Sequence, residues 1–198
     1  MGFEIVEQLG WRYPRHIVSP VAGGTLLPRI LRGLRELATI GLVQGELPQI
    51  HAAQAAGCAP VVHALDNGLE HPELVRPDTI AKSIAIGNPA DGYQVLESVR
   101  STGGSGAAVT DKQILEAIQL LAETEGIFTE PAGGTTVAAT IDLVRRGVIG
   151  PDESTVICIT GNGYKTMDVM AGRVTEPIRL GRGFKEFEGW WESRQALA

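Results

Sequence analysis

The stretch VSPVAGGTLLPRILRGLREL, residues 18–37, joins an apolar, strand-like beginning to an amphipathic helical pattern through a glycine turn. The apolar side chains of this pattern recur at helical spacing and predict a helix that faces the core. They are Leu27, Ile30, Leu31, Leu34 and, one residue beyond the quoted stretch, Ala38. The turn Ala22-Gly23-Gly24-Thr25 leaves backbone N–H groups unpaired at the positive end of that helix. Such a turn is either a tight connection or a cradle for an anion, most often a phosphate.

The alternation of strand-like and helical segments continues along the chain. Strand-like runs at residues 16–21, 48–54 and 154–160 alternate with segments of helical period. This order predicts an α/β fold with a mostly parallel sheet flanked by helices. Thr110 and Gln113 have the spacing of a capping box, and Gly126 predicts the end of that helix. Residues 58–79, rich in Pro, Gly, Asn and Asp, are predicted to form a long loop.

Composition limits the classes of partner. The chain has 198 residues, is 43% hydrophobic and carries a net charge of −6, without runs of like charge. One globular domain with one sizeable core or a little more is expected, and nothing favours nucleic acid or a membrane as a partner. Cys58 and Cys158 are predicted to be reduced and partly buried, and the absence of an apolar span or a signal-like start predicts a cytoplasmic protein. Small molecules or other proteins are the expected partners.

Two further glycine turns lie between extended and helical segments, TEPAGGTT at residues 129–136 and ITGNGYKT at residues 159–166. In a doubly wound sheet such turns gather at the carboxyl edge of the strands, where ligands bind. Neither a dinucleotide fingerprint nor a P-loop is found, so a phosphate held mainly by backbone groups is expected. The histidines lack metal-site spacing, and no metal site is predicted: His16, His51, His63 and His71.

Several motifs, in the same order, resemble the latter half of the threonine synthase family, which belongs to the tryptophan-synthase-β-like, fold-type-II pyridoxal-phosphate enzymes. They are GFEIVEQLGW, PVAGGTLL, AAQAAGCAP, TIAKSIAIGNPADG, TEGIFTEPAGGTTVAAT and ITGNGYKT. The similarity runs from about Phe3 to Val174. It implies that residues 1–174 are the C-terminal part of such an enzyme's large domain, incomplete at the N-terminus, and that residues 175–198 form a tail with an amphipathic aromatic helix.

The resemblance also assigns roles at the cofactor. It implies that residues 22–25 receive the 5′-phosphate of pyridoxal phosphate, and that Thr160 faces the pyridine nitrogen. The segment of Ile84, Ala85, Ile86, Gly87 and Asn88 would pass beside the cofactor, and Glu130 would open the neighbouring helix. The cofactor-binding residues implied in this way are Ala22, Gly23, Gly24, Thr25, Ile86, Gly87, Glu130 and Thr160. The plain alternatives are a packing turn at residues 22–25, a Thr160 hydroxyl bonded to backbone, and a mere helix start at Glu130.

The activity implied is that of a lyase of threonine biosynthesis, which converts O-phosphohomoserine and water to threonine and phosphate. The family places its Schiff-base lysine upstream of the GFEIVEQLGW-like segment, so none of the lysines is predicted to be catalytic: Lys82, Lys112, Lys165 and Lys185. We therefore expect this chain to be inactive alone and to need an N-terminal half in cis or in trans. A cysteate synthase or threonine dehydratase relative, and a non-catalytic remnant or partner subunit, are the alternatives; AIGNPADG argues against the dehydratase.

Both ends of the chain carry apolar helical patterns. Phe3, Val6 and Leu9 begin a helical pattern with no capping residue before it, and Gly10 predicts its end. A helix that begins without a capping residue is expected if its front half, or a segment before it, is absent from this sequence. In the tail, Phe184, Phe187 and Trp191 share one helical face, which predicts docking on the core or a contact in a homo-oligomer.

Overall fold

The computed structural model describes residues 1–173 and 178–195. The boundary predicted between residues 174 and 175 lies outside the described residues. The helices are α1 (Gly2–Gln8), α2 (Leu26–Thr39), α3 (Pro60–Asp66), α4 (Gly92–Ser101), α5 (Asp111–Glu125), α6 (Pro131–Arg145) and α7 (Phe184–Gln195). The strands are β1 (His16–Pro20), β2 (Gln49–Ala55), β3 (Gly106–Val109) and β4 (Thr155–Ile157).

The strands form one parallel sheet in the order β3-β2-β1-β4. His16 at the start of β1 is level with Gln49 of β2 and Thr155 of β4. The predicted α/β class is confirmed. Strand β3 was not predicted from the sequence, because it has only four residues, GAAV, whose small side chains carry little apolar signal.

Each face of the sheet packs against helices, and successive residues of a strand belong to different cores. Ile17 packs with the apolar faces of α1 to α4, whereas its neighbour Val18 packs with α5 and α6. The alternation is the normal consequence of the two-residue period of a strand. The sheet is therefore the middle layer of three, and the carboxyl ends of its strands form one edge of the molecule.

Two predicted helix faces need correction. In α2, Leu37 is buried and Ala38 is exposed, while the other predicted apolar positions are buried. At α1, Phe3 within the helix and Leu9 just after its end are 51% and 38% exposed, and among the apolar side chains of the predicted stripe only Val6 is buried. The buried face of each of these helices is set by the neighbour on which it packs, and the sequence period alone does not reveal that neighbour.

Helix α3 lies within the segment that was predicted to be a loop. Its start is stabilised by the side-chain oxygen of Gln54 on β2, which accepts hydrogen bonds from the N–H groups of Val61 and Val62 at 3.0 and 3.1 Å. No local capping side chain marks this start. The stabilising contact at the helix start therefore comes from another strand, which explains why the loop prediction was wrong for residues 60–66, whereas residues 67–79 contain no helix or strand, as predicted.

The local signals of the other helices are confirmed. The Thr110 capping box is present at the start of α5, and Gly126 ends this helix in the left-handed region at φ 67°. Pro131 begins α6 as predicted. In α7, by contrast, none of the described residues is buried, so docking of this helix on the core is wrong, while the predicted oligomer contact through Phe184, Phe187 and Trp191 stays a prediction.

A buried chain of hydrogen bonds crosses the amino edge of the sheet. The N–H of Ser105 donates to His51 Nδ1 at 3.0 Å, so this nitrogen is an acceptor. His51 Nε2 therefore carries the proton and donates to His16 Nδ1 at 3.0 Å. His16 Nε2 then donates to Glu153 Oε2 at 2.9 Å. This directional chain requires both imidazoles to be neutral, and burial, with a smaller effect of the nearby Arg146 charge, lowers the pKa of His51 to about 4.

Cys58 and Cys158 are free, as predicted, but both are fully buried, where partial burial was predicted. Burial raises the pKa of the Cys158 thiol to about 11. Such a thiol is protonated and unreactive at neutral pH. Within residues 1–173 and 178–195, no helix combines the length and the apolar character needed to cross a membrane.

Candidate functional site

The loop of residues 22–25 follows β1 and leads directly into α2. The backbone N–H groups of these residues make no hydrogen bond to any described residue, whereas the preceding Val21 N–H is paired with the Ala53 carbonyl at 3.0 Å. Gly24 has φ +98°, a conformation that favours glycine. The loop therefore presents successive unpaired donors at the positive end of a helix, an arrangement that suits an anion.

The segment that contains GNPADG packs against this loop. The N–H of Asp91 donates to the Gly23 carbonyl at 2.9 Å, and the Thr25 hydroxyl donates to Asp91 Oδ2 at 2.7 Å. A Cβ placed on Gly23 would lie 3.8 Å from Cδ1 of Ile86. Ile86, predicted to pass beside the cofactor, is thus close to the loop and 40% exposed.

The contacts of Gly87 are with Val75 of its own segment, and not with the loop of residues 22–25. Its carbonyl accepts from the Val75 N–H at 3.0 Å, and a Cβ at this position would overlap the Val75 carbonyl oxygen. A glycine is therefore required here by the packing of residues 75–87. This packing is sufficient to account for the glycine, so its contribution to a cofactor site stays a prediction.

Thr160 and Glu130 lie beside the end of the neighbouring strand. Extending the register of β1 and β4 places Thr160 level with Val21, next to the loop. The Thr160 side chain is partly exposed, and its hydroxyl has no hydrogen-bond partner in the described part of the chain. Glu130, 9% exposed, is the N-cap of α6, and its carboxylate lies where a Cβ on Gly161 would be.

The structure thus brings the predicted residues to one edge of the sheet in two groups. Residues 22–25 lie with Ile86, and Thr160 lies with Gly161 and Glu130, at the carboxyl ends of the adjacent strands β1 and β4. Ala22 and Ile159 both pack against the core that contains α6. In a parallel α/β sheet this edge is where ligands bind.

Asp91 is the residue at this edge that the sequence reasoning missed. The signal was present, since this acidic residue of the GNPADG motif directly precedes α4. Read locally, however, such a residue is an ordinary helix cap. Its contact with Thr25 joins residues far apart in the chain, and no local pattern indicates it.

The charged side chains that contact the loops at this edge are carboxylates, which repel an anion, so an anion here would have to be held by backbone groups. Lys82 and Lys165 are both exposed at the surface, and the carboxylates of Asp91 and Glu130 lie against the loops. In the described part of the chain, no group of three His, Cys, Asp or Glu side chains is placed to hold a metal ion. The unpaired N–H groups of residues 22–25 are therefore the donors that an anion would meet at this point.

Residues 1–161 match the family model described as pyridoxal-phosphate dependent enzyme. The chain is 37% identical over 183 residues to a threonine synthase of Methanocaldococcus jannaschii, covering 91% of this chain and 44% of the relative. It is 42% identical over 162 residues to a threonine synthase of Methanosarcina acetivorans, covering 81% of this chain and 39% of the relative. The chain thus spans less than half the length of these relatives.

Solved structures share the fold at low sequence identity. A fungal L-serine ammonia-lyase from Rhizomucor miehei has a TM-score of 0.68 at 21% identity, covering 87% of this chain and 54% of that one. The processed form of threonine deaminase isoform 2 from Solanum lycopersicum has a TM-score of 0.64 at 19% identity, covering 86% of this chain and 48% of that one. Because the family match covers most of the sequence and the fold agrees, this chain belongs to the pyridoxal-phosphate dependent enzyme family.

Proposed function

We propose that this chain forms the phosphate-anchoring portion of a threonine synthase, a lyase that converts O-phosphohomoserine and water to threonine and phosphate. The observation that carries the proposal is the run of N–H groups at residues 22–25, before α2, that have no partner in the described part of the chain. It is supported by the threonine synthases that are 37% and 42% identical to most of the chain. The more distant structural relatives support the fold alone.

The residues of this edge fit the cofactor that the family uses. Backbone N–H groups suit its 5′-phosphate, because this group is an anchor and exchanges no proton. Gly24 leaves the loop in a left-handed conformation without the Cβ that would meet the Asp91 backbone at 2.9 Å. When bound, pyridoxal phosphate supplies an electron sink for reactions at the amino-acid carbons.

Thr160 would face the pyridine nitrogen. Its hydroxyl, partly exposed and without a partner among the described residues, is free to donate a hydrogen bond there. A neutral hydroxyl would leave that nitrogen largely unprotonated, whereas a carboxylate would favour the protonated form. Ile86 and Gly87 would border the cofactor on the other side of the loop, and Glu130 would hold the loop at Gly161 in place.

The lysine and the substrate-phosphate groups would come from an N-terminal part, in cis or in trans. Lys82 and Lys165 are exposed and outside the motif context of a Schiff-base lysine. We therefore expect that borohydride reduction of this chain with pyridoxal phosphate fixes no stoichiometric pyridoxyl group on either residue. Peptide mapping after reduction is the measurement, and a stoichiometric adduct on Lys82 or Lys165 would contradict this part of the proposal.

The anchor is tested by binding of pyridoxal phosphate to the chain and to two glycine variants. Gly24→Asp places a carboxylate and a Cβ against the Asp91 backbone, so binding should be lost. Gly41→Asp is the matched control, because Gly41 also has a positive φ of +72° but has open space around it. Equal binding by folded Gly24→Asp would refute the role of the loop.

The substrate is tested separately by phosphate release from O-phosphohomoserine. The chain alone should release no phosphate, and release should appear when the N-terminal part of the Methanosarcina acetivorans threonine synthase is added. Release that depends on both parts and is abolished by Gly24→Asp supports the proposal. Binding of pyridoxal phosphate without release in the reconstituted mixture would instead favour another activity or a non-catalytic partner.

A further inference from the structure

Asp91 contacts the loop of residues 22–25 through both its backbone and its side chain. Its N–H donates to the Gly23 carbonyl at 2.9 Å, and its carboxylate accepts from the Thr25 hydroxyl at 2.7 Å. Between these two bonds, a Cβ on Gly24 would lie 2.9 Å from the Asp91 carbonyl carbon. Three consecutive loop residues are thus held against one residue of another segment.

The carboxylate of Asp91 does not serve its own helix. Asp91 is the N-cap of α4, a position at which an aspartate ordinarily accepts from the first N–H groups of the helix that follows. Its side chain makes no such bond and accepts from Thr25 instead. The carboxylate therefore ties the start of α2 to the start of α4.

The bond to Asp91 also decides what Thr25 can offer an anion. A hydroxyl has one proton to donate, and that of Thr25 is donated to the carboxylate. The side chain is then an acceptor only, which a phosphate oxygen does not need. At Thr25 the group left for an anion is the backbone N–H, which has no partner among residues 1–173 and 178–195.

We infer that Asp91 is a positioning residue for the phosphate of pyridoxal phosphate, and that it acts by clamping the Thr25 hydroxyl so that the N–H groups of residues 22–25 converge. The inference rests on the proposed function. It assigns the Thr25 hydroxyl to the clamp, away from the phosphate itself. The negative charge of Asp91 opposes an anion nearby, so the clamp, and not the charge, is its contribution.

Charge and clamp are separated by a set of variants. Asp91→Asn keeps an acceptor for Thr25 and removes the charge, and Thr25→Ser keeps the donor. Thr25→Val and Asp91→Ala each break the hydrogen bond between Thr25 and Asp91. The double variant breaks this same bond and no additional one. Glu97→Gln is the control, because Glu97 is an exposed carboxylate on the same helix.

Affinity is measured by titration with pyridoxal phosphate and, in parallel, with pyridoxal, which lacks the phosphate. Thr25→Val and Asp91→Ala should each lower the affinity for pyridoxal phosphate roughly tenfold, as expected for loss of a hydrogen bond to a charged group. Binding of pyridoxal should not change. Thr25→Ser, Asp91→Asn and Glu97→Gln should stay within about twofold of the original affinity, and the double variant should be no weaker than Thr25→Val.

A second measurement needs no ligand. The ¹⁵N order parameters of Gly23 and Gly24 should fall in Thr25→Val and Asp91→Ala, and should be retained in Asp91→Asn. Unchanged order parameters, equal weakening of pyridoxal and pyridoxal phosphate, or full effects in Asp91→Asn would each overturn the clamp. If the unsubstituted chain binds pyridoxal phosphate no better than pyridoxal, the phosphate anchor itself fails, and the order parameters still decide whether Asp91 holds the loop.

Discussion

Acidification should destabilise this chain through the buried histidine pair at the amino edge of the sheet. The hydrogen-bond direction from Ser105 through His51 and His16 to Glu153 needs both imidazoles neutral. A proton added to His51 Nδ1 would face the Ser105 N–H, and two donors would then oppose each other. Two arginines lie near these hydrogen bonds. Arg146 donates to the Gly106 carbonyl at 2.9 Å and pairs with Asp142, and Arg15 lies 3.6 Å from Glu153 and pairs with Glu46.

The size of the effect follows from the pKa of His51, which falls from 6.5 to about 4 in the folded protein. Between these two pKa values the unfolded chain binds a proton that the folded chain does not, so the free energy of unfolding falls as the pH is lowered. For a group with these two pKa values, the free energy of unfolding decreases by about 2 kcal/mol between about pH 7 and about pH 5. The lowered pKa of Glu153 adds a further loss in the more acidic range.

Urea unfolding at a series of pH values is the assay. The variant His51→Gln cannot titrate at this position, so its free energy of unfolding should vary less with pH than that of the original chain. His71→Gln is the matched control, because His71 is exposed and takes no part in the hydrogen bonds of the buried pair, so this variant should keep the pH dependence of the original chain. The reasoning is refuted if the original chain and His51→Gln lose the same free energy over this interval. If His51→Gln does not fold, the ¹⁵N shifts of His51 in the original chain decide, since Nδ1 should remain unprotonated at about pH 5.

Three further predictions follow from particular contacts. Thr110→Ala should lower the free energy of unfolding by about 1 kcal/mol, because it removes the capping box of α5; thermal unfolding measures this, and an unchanged midpoint would contradict it. Gly161→Ala should lower the free energy of unfolding more than Gly147→Ala does in the same assay, because both glycines have positive φ but only Gly161 lies against the Glu130 carboxylate. Equal losses of free energy in the two variants would contradict that contact. The exposed apolar side chains of α7, among them Phe184 and Trp191, should promote self-association; light scattering should show a mass that rises with concentration, and replacing both residues by Ser should reduce the rise. A concentration-independent monomer would count against the homo-oligomer.

Much of the fold and part of the site could be predicted because the relevant signals are local. The α5 capping box, the Pro131 start of α6 and the glycine turn before α2 each depend on residues within a few positions of one another. The order of strand-like and helical segments likewise indicated a parallel sheet, and a parallel sheet places its glycine turns at one edge. Residues 22–25 and Thr160 could therefore be assigned to the same edge from the order of the segments alone.

The remaining features depend on contacts between residues far apart in the chain. Helix α3 begins where Gln54 of β2 supplies its acceptor, His16 meets His51 because β1 and β2 are neighbours, and Asp91 holds Thr25 because α4 begins beside α2. None of these pairs has a spacing that a local pattern could detect. By itself the sequence determined the local geometry and the available donors and acceptors, whereas the tertiary structure decided which of them meet, because a hydrogen bond between distant segments forms only after packing has brought both segments to the same place.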